Sequence, residues 1–176
     1  MKPLAKVKCI WTPCFAYAIG LIVTDGNLSP DQRHIHFTSK DLELAELFKK
    51  CLQLNNKIGK KARGGEKEKK YFVVQFGDIK FYNFLLSLGL MKNKSKIIGR
   101  MKIPRKFWAD FLRGCIDGDG TIGCFKHPES KNPQLRVRLF SASTVFLQWM
   151  KINIDKYVKL DGGWIDSCPR AFVLCY

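Results

Sequence analysis

The sequence predicts an α+β fold built from two similar halves. Two segments carry this prediction, FAYAIGLIVTDGNLS (Phe15–Ser29) and FWADFLRGCIDGDGTIG (Phe107–Gly123), which align without a gap so that Asp25 falls on Asp119, 94 residues later. Each segment predicts an apolar helix that ends at Asp-Gly, because a glycine just past a helix end commonly serves as its cap. Each is followed by an alternating stretch and then an amphipathic one, so the two halves share one plan.

In the first half, Ser39 or Asp41 can cap the helix that follows the alternating stretch. A turn at Gly64-Gly65 then joins two predicted strands. The predicted elements run in this order: a strand at Arg33–Lys40, a helix at Asp41–Leu54, a strand at Lys57–Arg63, a strand at Tyr71–Phe76 and a helix at Asp78–Gly89.

The second half repeats the beginning of this series. Leu135–Ser143 alternates like a strand, and Ser143 or Thr144 can cap the helix TVFLQWMKINI. By comparison with the first half, it lacks the closing helix and part of the last strand, so we expect it to be truncated at its C-terminus. We therefore divide the chain into a first half (1–90), a basic linker (91–106) and an incomplete second half (107–176).

The charge of the chain predicts a polyanionic partner. Lys and Arg number 31 against 15 Asp and Glu, a net charge of +16, which is more than solubility requires. A basic protein that merely avoids aggregation is the plainer alternative, and membrane surfaces also attract basic chains. No apolar run is long enough to span a membrane, and the charged N-terminus does not resemble a signal peptide. We expect a soluble intracellular protein, with its seven cysteines reduced because they are odd in number and form no CxxC.

Small residues in the two aligned helices predict that these helices pack together. Gly20 and Thr24 lie four residues apart on one helix face, as do Gly114 and Gly118 on the other, so the backbones can approach closely. The packing would bring the helix ends and their aspartates together, where the carboxylates would repel each other and a divalent cation such as Mg²⁺ would relieve the repulsion. Either copy alone is more simply a capping aspartate beside a turn glycine.

The segments GLIVTDG (20–26) and GCIDGDG (114–120) resemble the two motifs of the double-motif, single-chain LAGLIDADG homing endonucleases. The resemblance covers the chain apart from about its first dozen residues. It implies two pseudosymmetric αββαββα halves with the motif helices at their interface and antiparallel sheets facing the DNA major groove. It also implies cleavage of both strands of double-stranded DNA by a monomer.

The same resemblance implies the residues of a metal centre. Asp25 and Asp119 match the acids that bind Mg²⁺ or Mn²⁺, and the backbone carbonyls of Thr24 and Gly118 match the supporting ligands. A basic residue near the metal is also implied, for which Lys94 and Lys96 are the candidates. Asp117 has no acidic counterpart, since Val23 occupies its place in the first motif, and we interpret it as structural.

Basic and polar residues on the predicted strands are candidates for DNA contact. Arg and Gln can form paired hydrogen bonds with guanine and adenine, while lysines suit phosphates. The candidate base readers are Arg33, Gln75, Arg136 and Arg138. The other candidates are His34, His36, Lys57, Lys60, Lys61, Arg63, Lys69 and Lys70. Trp108, Trp149 and Trp164 are interpreted as core or interface aromatics.

Three functions are consistent with the sequence. The first is a site-specific, metal-dependent double-strand DNA endonuclease. The second is a noncatalytic DNA-binding protein of the same fold, and the third is an intron-encoded RNA maturase. The pair of acids favours the enzyme, because a protein that only binds DNA has no use for two repelling carboxylates at its centre.

Overall fold

The computed structural model describes residues 5–62, 68–126, 128–129 and 131–176. The elements of the first half are α1 (Pro13–Asp25), β1 (Gly26–Leu28), β2 (His34–Ser39), α2 (Leu42–Cys51), β3 (Gly59–Lys61), β4 (Tyr71–Gly77) and α3 (Ile79–Ser87). Those of the second half are α4 (Trp108–Asp119), β5 (Gly120–Phe125), β6 (Gln134–Ser141), α5 (Thr144–Val158), β7 (Trp164–Cys168) and β8 (Ala171–Cys175). Two 3-10 turns, Lys94–Lys96 and Arg105–Phe107, lie between the halves.

Each half contains one antiparallel sheet of four strands, and the two sheets have the same connectivity. Their strand orders are β1-β2-β4-β3 and β5-β6-β8-β7. The α+β class with two repeated halves is therefore confirmed. Among the described residues, β8 is the last element.

Local capping explains where most helices begin. The side chains of Thr12, Asp41, Asp78 and Ser143 accept hydrogen bonds from backbone N–H groups in the first turns of α1, α2, α3 and α5, which satisfies donors that have no partner within a helix. Ser143 also donates a 2.6 Å hydrogen bond to the carbonyl of Ile98, which ties α5 to the segment between the halves.

The glycines after the two motif helices are required for a reason that the sequence analysis did not predict. Gly26 has φ −84° and Gly120 has φ −109°, so neither is in the left-handed conformation of a typical glycine cap. A Cβ at either position would lie 2.5 Å from the carbonyl oxygen of Ile22 or Ile116, respectively. Glycine is needed because the chain turns sharply from helix to strand against the last helical turn.

Helices α1 and α4 pack with their backbones in contact. A Cβ on Gly20 would lie 2.3 Å from the carbonyl oxygen of Phe111, and one on Gly114 would lie 2.1 Å from that of Tyr17. Nearer the helix ends, Gly118 faces Thr24, whose Oγ1 would lie 2.0 Å from a Cβ on that glycine. Side chains of ordinary size would force the helices apart.

The hydrophobic core surrounds this helix pair. All residues of α1 from Phe15 to Val23 are buried, whereas α4 buries only Trp108, Phe111, Gly114 and Cys115. Trp108 is therefore a core residue and Trp149 packs partly buried against the core, as expected. Trp164 is not a core residue, because it lies on edge strand β7 with 47% of its surface exposed.

We expect Gly114→Ala to destabilise the fold by about 1–3 kcal/mol, the usual cost of overpacking a close contact. The added methyl group meets the backbone of α1, which cannot move away as a flexible side chain could. Urea unfolding of the variant measures the change. Gly59→Ala is the matched control, because its Cβ would have no neighbour nearer than 3.8 Å; equal losses for both variants would contradict the close-packing argument.

Candidate metal centre and nucleic-acid interface

Asp25 and Asp119 end the two motif helices, and the α1–α4 contact places both helix ends on the same side of the interface. A Cβ on Gly118, the residue before Asp119, would lie 3.3 Å from the Oδ2 atom of Asp25. Each aspartate also directly precedes the first strand of its sheet. The two acids therefore lie where the helix interface meets the two sheets.

Lys94 is the basic residue that the structure brings to these helix ends. Its side chain is 9% exposed, and its Nζ donates hydrogen bonds to the carbonyl oxygens of Thr24 at 2.9 Å and Gly26 at 2.7 Å. Lys96, on the same 3-10 turn, is exposed. Of the two candidate lysines, only Lys94 thus contacts the end of α1.

The pKa directions reflect the proximity of these groups. Burial lowers the pKa of Lys94, while the carboxylates of Asp119 and Asp25 oppose this shift. Asp119 is partly open to solvent, but desolvation of its carboxyl group raises its pKa, and Lys94 opposes that rise. The ammonium group of Lys94 therefore interacts electrostatically with an acid from each half.

The donor atoms at this point suit a hard divalent cation. They comprise two carboxylates and nearby backbone carbonyls, and oxygen is the ligand atom that Mg²⁺ and Mn²⁺ prefer. Within the described part of the chain, no group of three or more His, Cys, Asp or Glu side chains lies together. Asp25 and Asp119 are the side chains that could hold a cation here, with carbonyl oxygens and water as further ligands.

Asp117 has a partner across the helix interface. The Tyr17 hydroxyl donates a 2.7 Å hydrogen bond to its Oδ2 atom, and the guanidinium of Arg113 lies 4.7 Å from the centre of the Tyr17 ring. Desolvation, followed by this hydrogen bond, raises the pKa of Tyr17. The contact agrees with a structural role for Asp117 in holding α1 against α4.

The face of the first sheet opposite the helices, here called the groove face, carries several of the predicted DNA contacts. His36 pairs with Gln75 and side chains alternate along each strand, so His34, His36 and Gln75 lie on this face. Lys61 lies at its edge, where it pairs with Tyr71. The buried residues Ile35, Phe37, Val74 and Phe76 occupy the alternate, helix-facing positions. Partial burial, followed by the charge of Lys61, lowers the pKa of His36, which favours its neutral form.

Other predicted contacts of this half are placed differently. Arg33 is exposed at the end of β2, where Asp31 accepts hydrogen bonds from the backbone N–H groups of Arg33 and His34 and contacts the His34 ring. Lys60 pairs with Phe72 and lies over its ring, so it is on the helix-facing side, opposite to Lys61. Lys60 and Lys61 therefore point to opposite faces of the sheet, because adjacent strand residues alternate.

The remaining lysines of this hairpin lie at the surface. Lys57, Lys69 and Lys70 are exposed, and Lys70 forms a 3.0 Å ion pair with Glu68. Arg63 lies outside the described residues. Lys57, Lys69 and Lys70 supply positive charge around the first sheet, and within the described part of the chain no contact fixes them toward the groove face.

In the second sheet, Arg136 and Arg138 lie on the groove face and contact an aromatic ring that the sequence analysis missed. Their guanidinium groups lie 5.5 Å and 4.2 Å from the centre of the Phe125 ring. The strand register also places Trp164 on this face, since Arg138 and Trp164 both pair with Cys175. Side-chain alternation would identify both aromatics as neighbours of the arginines on this face, but only once the strand register is known.

The comparisons with known proteins agree with this geometry. A family model described as a LAGLIDADG-like domain matches residues 12–97. No curated protein gives a significant sequence match. Residues 12–97 therefore match the LAGLIDADG-like family model, and the chain as a whole has the fold of a double-motif, single-chain structure, so the predicted family resemblance is confirmed.

Solved structures are similar over nearly the whole chain but with low sequence identity. Variants of the homing endonuclease I-DmoI match with a TM-score of 0.57 and 14% identity, covering 93% of this chain and 87% of theirs. I-DmoI in complex with DNA and Mn matches with a TM-score of 0.53 and 14% identity, over 93% of this chain and 88% of that one. Full-length DUF199/WhiA from Thermatoga maritima matches with a TM-score of 0.56 and 14% identity, over 96% of this chain. The chain spans 52% of that WhiA protein, and such similarity shows the fold.

No helix of the described residues is long and apolar enough to cross a membrane.

We expect Lys94→Met to lower the free energy of unfolding by about 1–3 kcal/mol, the cost of leaving buried carbonyl groups without a donor. Methionine keeps most of the side-chain volume and removes both hydrogen bonds to the end of α1. Thermal or urea unfolding measures the loss. Lys96→Met, an exposed change on the same turn, should have almost no effect; a similar loss in both variants would show that Lys94 has no special role.

Proposed function

We propose that the chain is a DNA endonuclease that depends on a divalent metal ion bound by Asp25 and Asp119. The observation that carries the proposal is the convergence of these two acids, from pseudosymmetric helices, at the junction of two basic sheets. The fold similarity to homing endonucleases supports it, as does the presence of Mn and DNA in one of those structures. The proposed partner is double-stranded DNA, and the proposed working form is a monomer.

The proposed roles of the residues follow from their placement. Asp25 and Asp119 hold Mg²⁺ or Mn²⁺, with the carbonyl oxygens of Thr24 and Gly118 nearby. The bound cation would supply an activated water and neutralise charge that develops on the scissile phosphate. Lys94 holds the end of α1 and places a positive charge beside both acids. That charge limits the repulsion between the carboxylates and attracts a phosphate group to the centre.

The two groove faces are proposed to contact DNA. Two-stranded ribbons fit the major groove, where Arg and Gln distinguish bases by paired hydrogen bonds. Gln75, His36 and Lys61 would contribute from the first sheet, and Arg136 and Arg138 from the second. Contact with the Phe125 ring limits the freedom of both arginines, so less entropy is lost when they bind.

We expect Asp25→Asn to abolish cleavage while DNA affinity is kept. The amide has nearly the shape of the carboxylate but lacks the charge that holds the cation. Cleavage of DNA selected from a randomised library, with Mg²⁺ and with Ca²⁺, provides the assay, and binding is measured in parallel by fluorescence anisotropy. Asp161→Asn, at an exposed position, is the control. If the Asp25→Asn variant cut DNA at the wild-type rate, Asp25 would not be a ligand of the catalytic metal ion.

We expect Arg138→Ala to weaken DNA binding and Lys60→Ala to leave it nearly unchanged. Arg138 lies on the groove face, whereas Lys60 lies on the opposite side of its sheet. Because Arg138 is proposed to contact a base, its loss should leave the slope of log affinity against log salt nearly unchanged, whereas loss of a phosphate contact would reduce that slope by about one. Binding titrations at several salt concentrations test both statements. An equal loss of DNA affinity in the two variants would show that DNA does not bind at the groove face.

A noncatalytic DNA-binding protein is the second candidate. It is favoured by the hydrogen bonds of Lys94 to the carbonyls of Thr24 and Gly26, which satisfy the end of α1 without a metal ion. The fold similarity to WhiA is compatible with it. The library selection separates the two functions: bound but uncut DNA in Mg²⁺ supports the binding protein, and cut DNA supports the enzyme.

A further inference from the structure

The Phe125 side chain is an exposed aromatic ring on the groove face of the second sheet. It is 37% exposed, and it alternates along β5 with Gly123, which pairs with Arg136. A Cβ on Gly123 would lie 3.6 Å from the Cε2 atom of the ring and 4.0 Å from its Cζ atom, so the ring turns back over this glycine. The ring therefore lies along the groove face and does not extend beyond the end of the strand.

Arg138 is the arginine nearest to this ring. Its guanidinium group lies 4.2 Å from the ring centre. Arg136 lies 5.5 Å from the same centre and donates a 3.1 Å hydrogen bond to the side-chain oxygen of Gln134. Within the described part of the chain, the Arg138 guanidinium contacts the ring but forms no hydrogen bond or ion pair. Its N–H donors are therefore available to a ligand while the ring limits its movement.

The first sheet carries different chemistry at the corresponding place. The strand registers of the two sheets correspond, so that His36 of β2 matches Arg138 of β6. Strand β1 contains three residues and ends at Leu28, whereas β5 contains six and ends at Phe125. No strand residue of the described first sheet therefore corresponds to Phe125. We expect the two halves of a bound DNA site to be recognised by different side-chain chemistry.

The ring and the guanidinium suit two different groups of the DNA major groove. A phenyl ring has no hydrogen-bonding group, so it can only make an apolar contact there, and the apolar group of a base edge is the C5-methyl group of thymine. The base 5-methylcytosine carries the same methyl group at the same position. Arginine instead forms paired hydrogen bonds with O6 and N7 of guanine.

The spacing of the two side chains suits neighbouring base pairs. Successive base pairs are separated by about 3.4 Å along the duplex axis. The distance of 4.2 Å between the Arg138 guanidinium and the Phe125 ring centre is of similar size. The two side chains can therefore contact adjacent base pairs at the same time.

We propose that Arg138 binds a guanine and that the Phe125 ring contacts the 5-methyl group of the neighbouring pyrimidine. Phe125 is then a specificity-determining residue of the second sheet. The methyl group increases affinity because its contact with the ring removes apolar surface from water. This inference rests on the proposed binding of DNA by the groove faces, but it does not depend on cleavage.

Two selections for binding locate the base step in a randomised duplex library. Both are carried out in Ca²⁺, one with the wild-type chain and one with Arg138→Ala. The position at which Arg138→Ala loses the preference for guanine is the one that Arg138 contacts. We expect thymine beside that guanine. Replacement of this thymine by deoxyuridine removes only the methyl group, and it should weaken wild-type binding, measured by fluorescence anisotropy, by about three- to fivefold.

Phe125→Ala should bind the thymine and deoxyuridine duplexes with equal affinity, because the ring that contacts the methyl group is gone. If the ring only positioned Arg138, the variant would lose affinity for both duplexes alike and keep the wild-type ratio, which would overturn the proposal. Trp164→Ala is the matched control, since it removes another exposed aromatic from the same face. Trp164 lies two strands from Arg138, roughly 10 Å across the sheet, so its loss should leave the ratio unchanged.

A comparison of 5-methylcytosine with cytosine at the same position distinguishes the two sources of the methyl group. A preference for the methylated base that Phe125→Ala abolishes supports the proposal, and the tighter of the thymine and 5-methylcytosine duplexes identifies the source. Equal affinity with and without the methyl group in both comparisons would overturn this inference and leave the proposed DNA binding intact. Tighter binding of the single strand than of the duplex would also overturn it, because the ring would then stack on an unpaired base. Recovery of no bound DNA would refute the proposed function and this inference with it.

Discussion

The backbone contact between α1 and α4 is the constraint on which the rest of the structure depends. Gly20 and Gly114 lie so close to the opposite helix that a single methyl group would meet a main-chain carbonyl. This contact fixes the position of Asp25 relative to Asp119. It also fixes the two sheets relative to each other, because β1 and β5 follow their helices without an intervening residue. Separation of the helices would therefore disturb the candidate metal centre and the interface with nucleic acid together.

Much of this arrangement could be predicted from the sequence because it depends on repetition and spacing. The gapless alignment of the two segments predicted the repeated halves, and the alternation in Arg33–Lys40 predicted β2. Features that depend on register or turn geometry could not be predicted. Lys60 and Lys61 are equivalent by composition, and only the pairing of β3 with β4 shows that they point to opposite faces. Trp164 similarly required the register of β7.

Which of Lys94 and Lys96 is buried also could not be predicted from the sequence, because it depends on the geometry of a single turn. Asn93 has a left-handed backbone with φ 56°, and the 3-10 turn that follows directs Lys94 inward while Lys96 remains exposed. A pattern of basic residues does not contain this information, since both lysines precede the same apolar residues. The segment predicted to be a basic linker consequently contributes a buried charge and buried apolar residues, among them Ile98 and Met101.

The two halves share a topology but differ in how completely they are enclosed, and this difference has a physical origin in α4. Each residue of α1 from Phe15 to Val23 is apolar or small and buried, whereas α4 places Arg113 and Asp117 at the corresponding positions of Ile19 and Val23. These charged residues can be accommodated because they lie beside Tyr17 at the edge of the interface, where hydrogen bonding and cation–π contact replace hydrophobic burial. The first half therefore provides most of the buried core against which the more exposed second half packs.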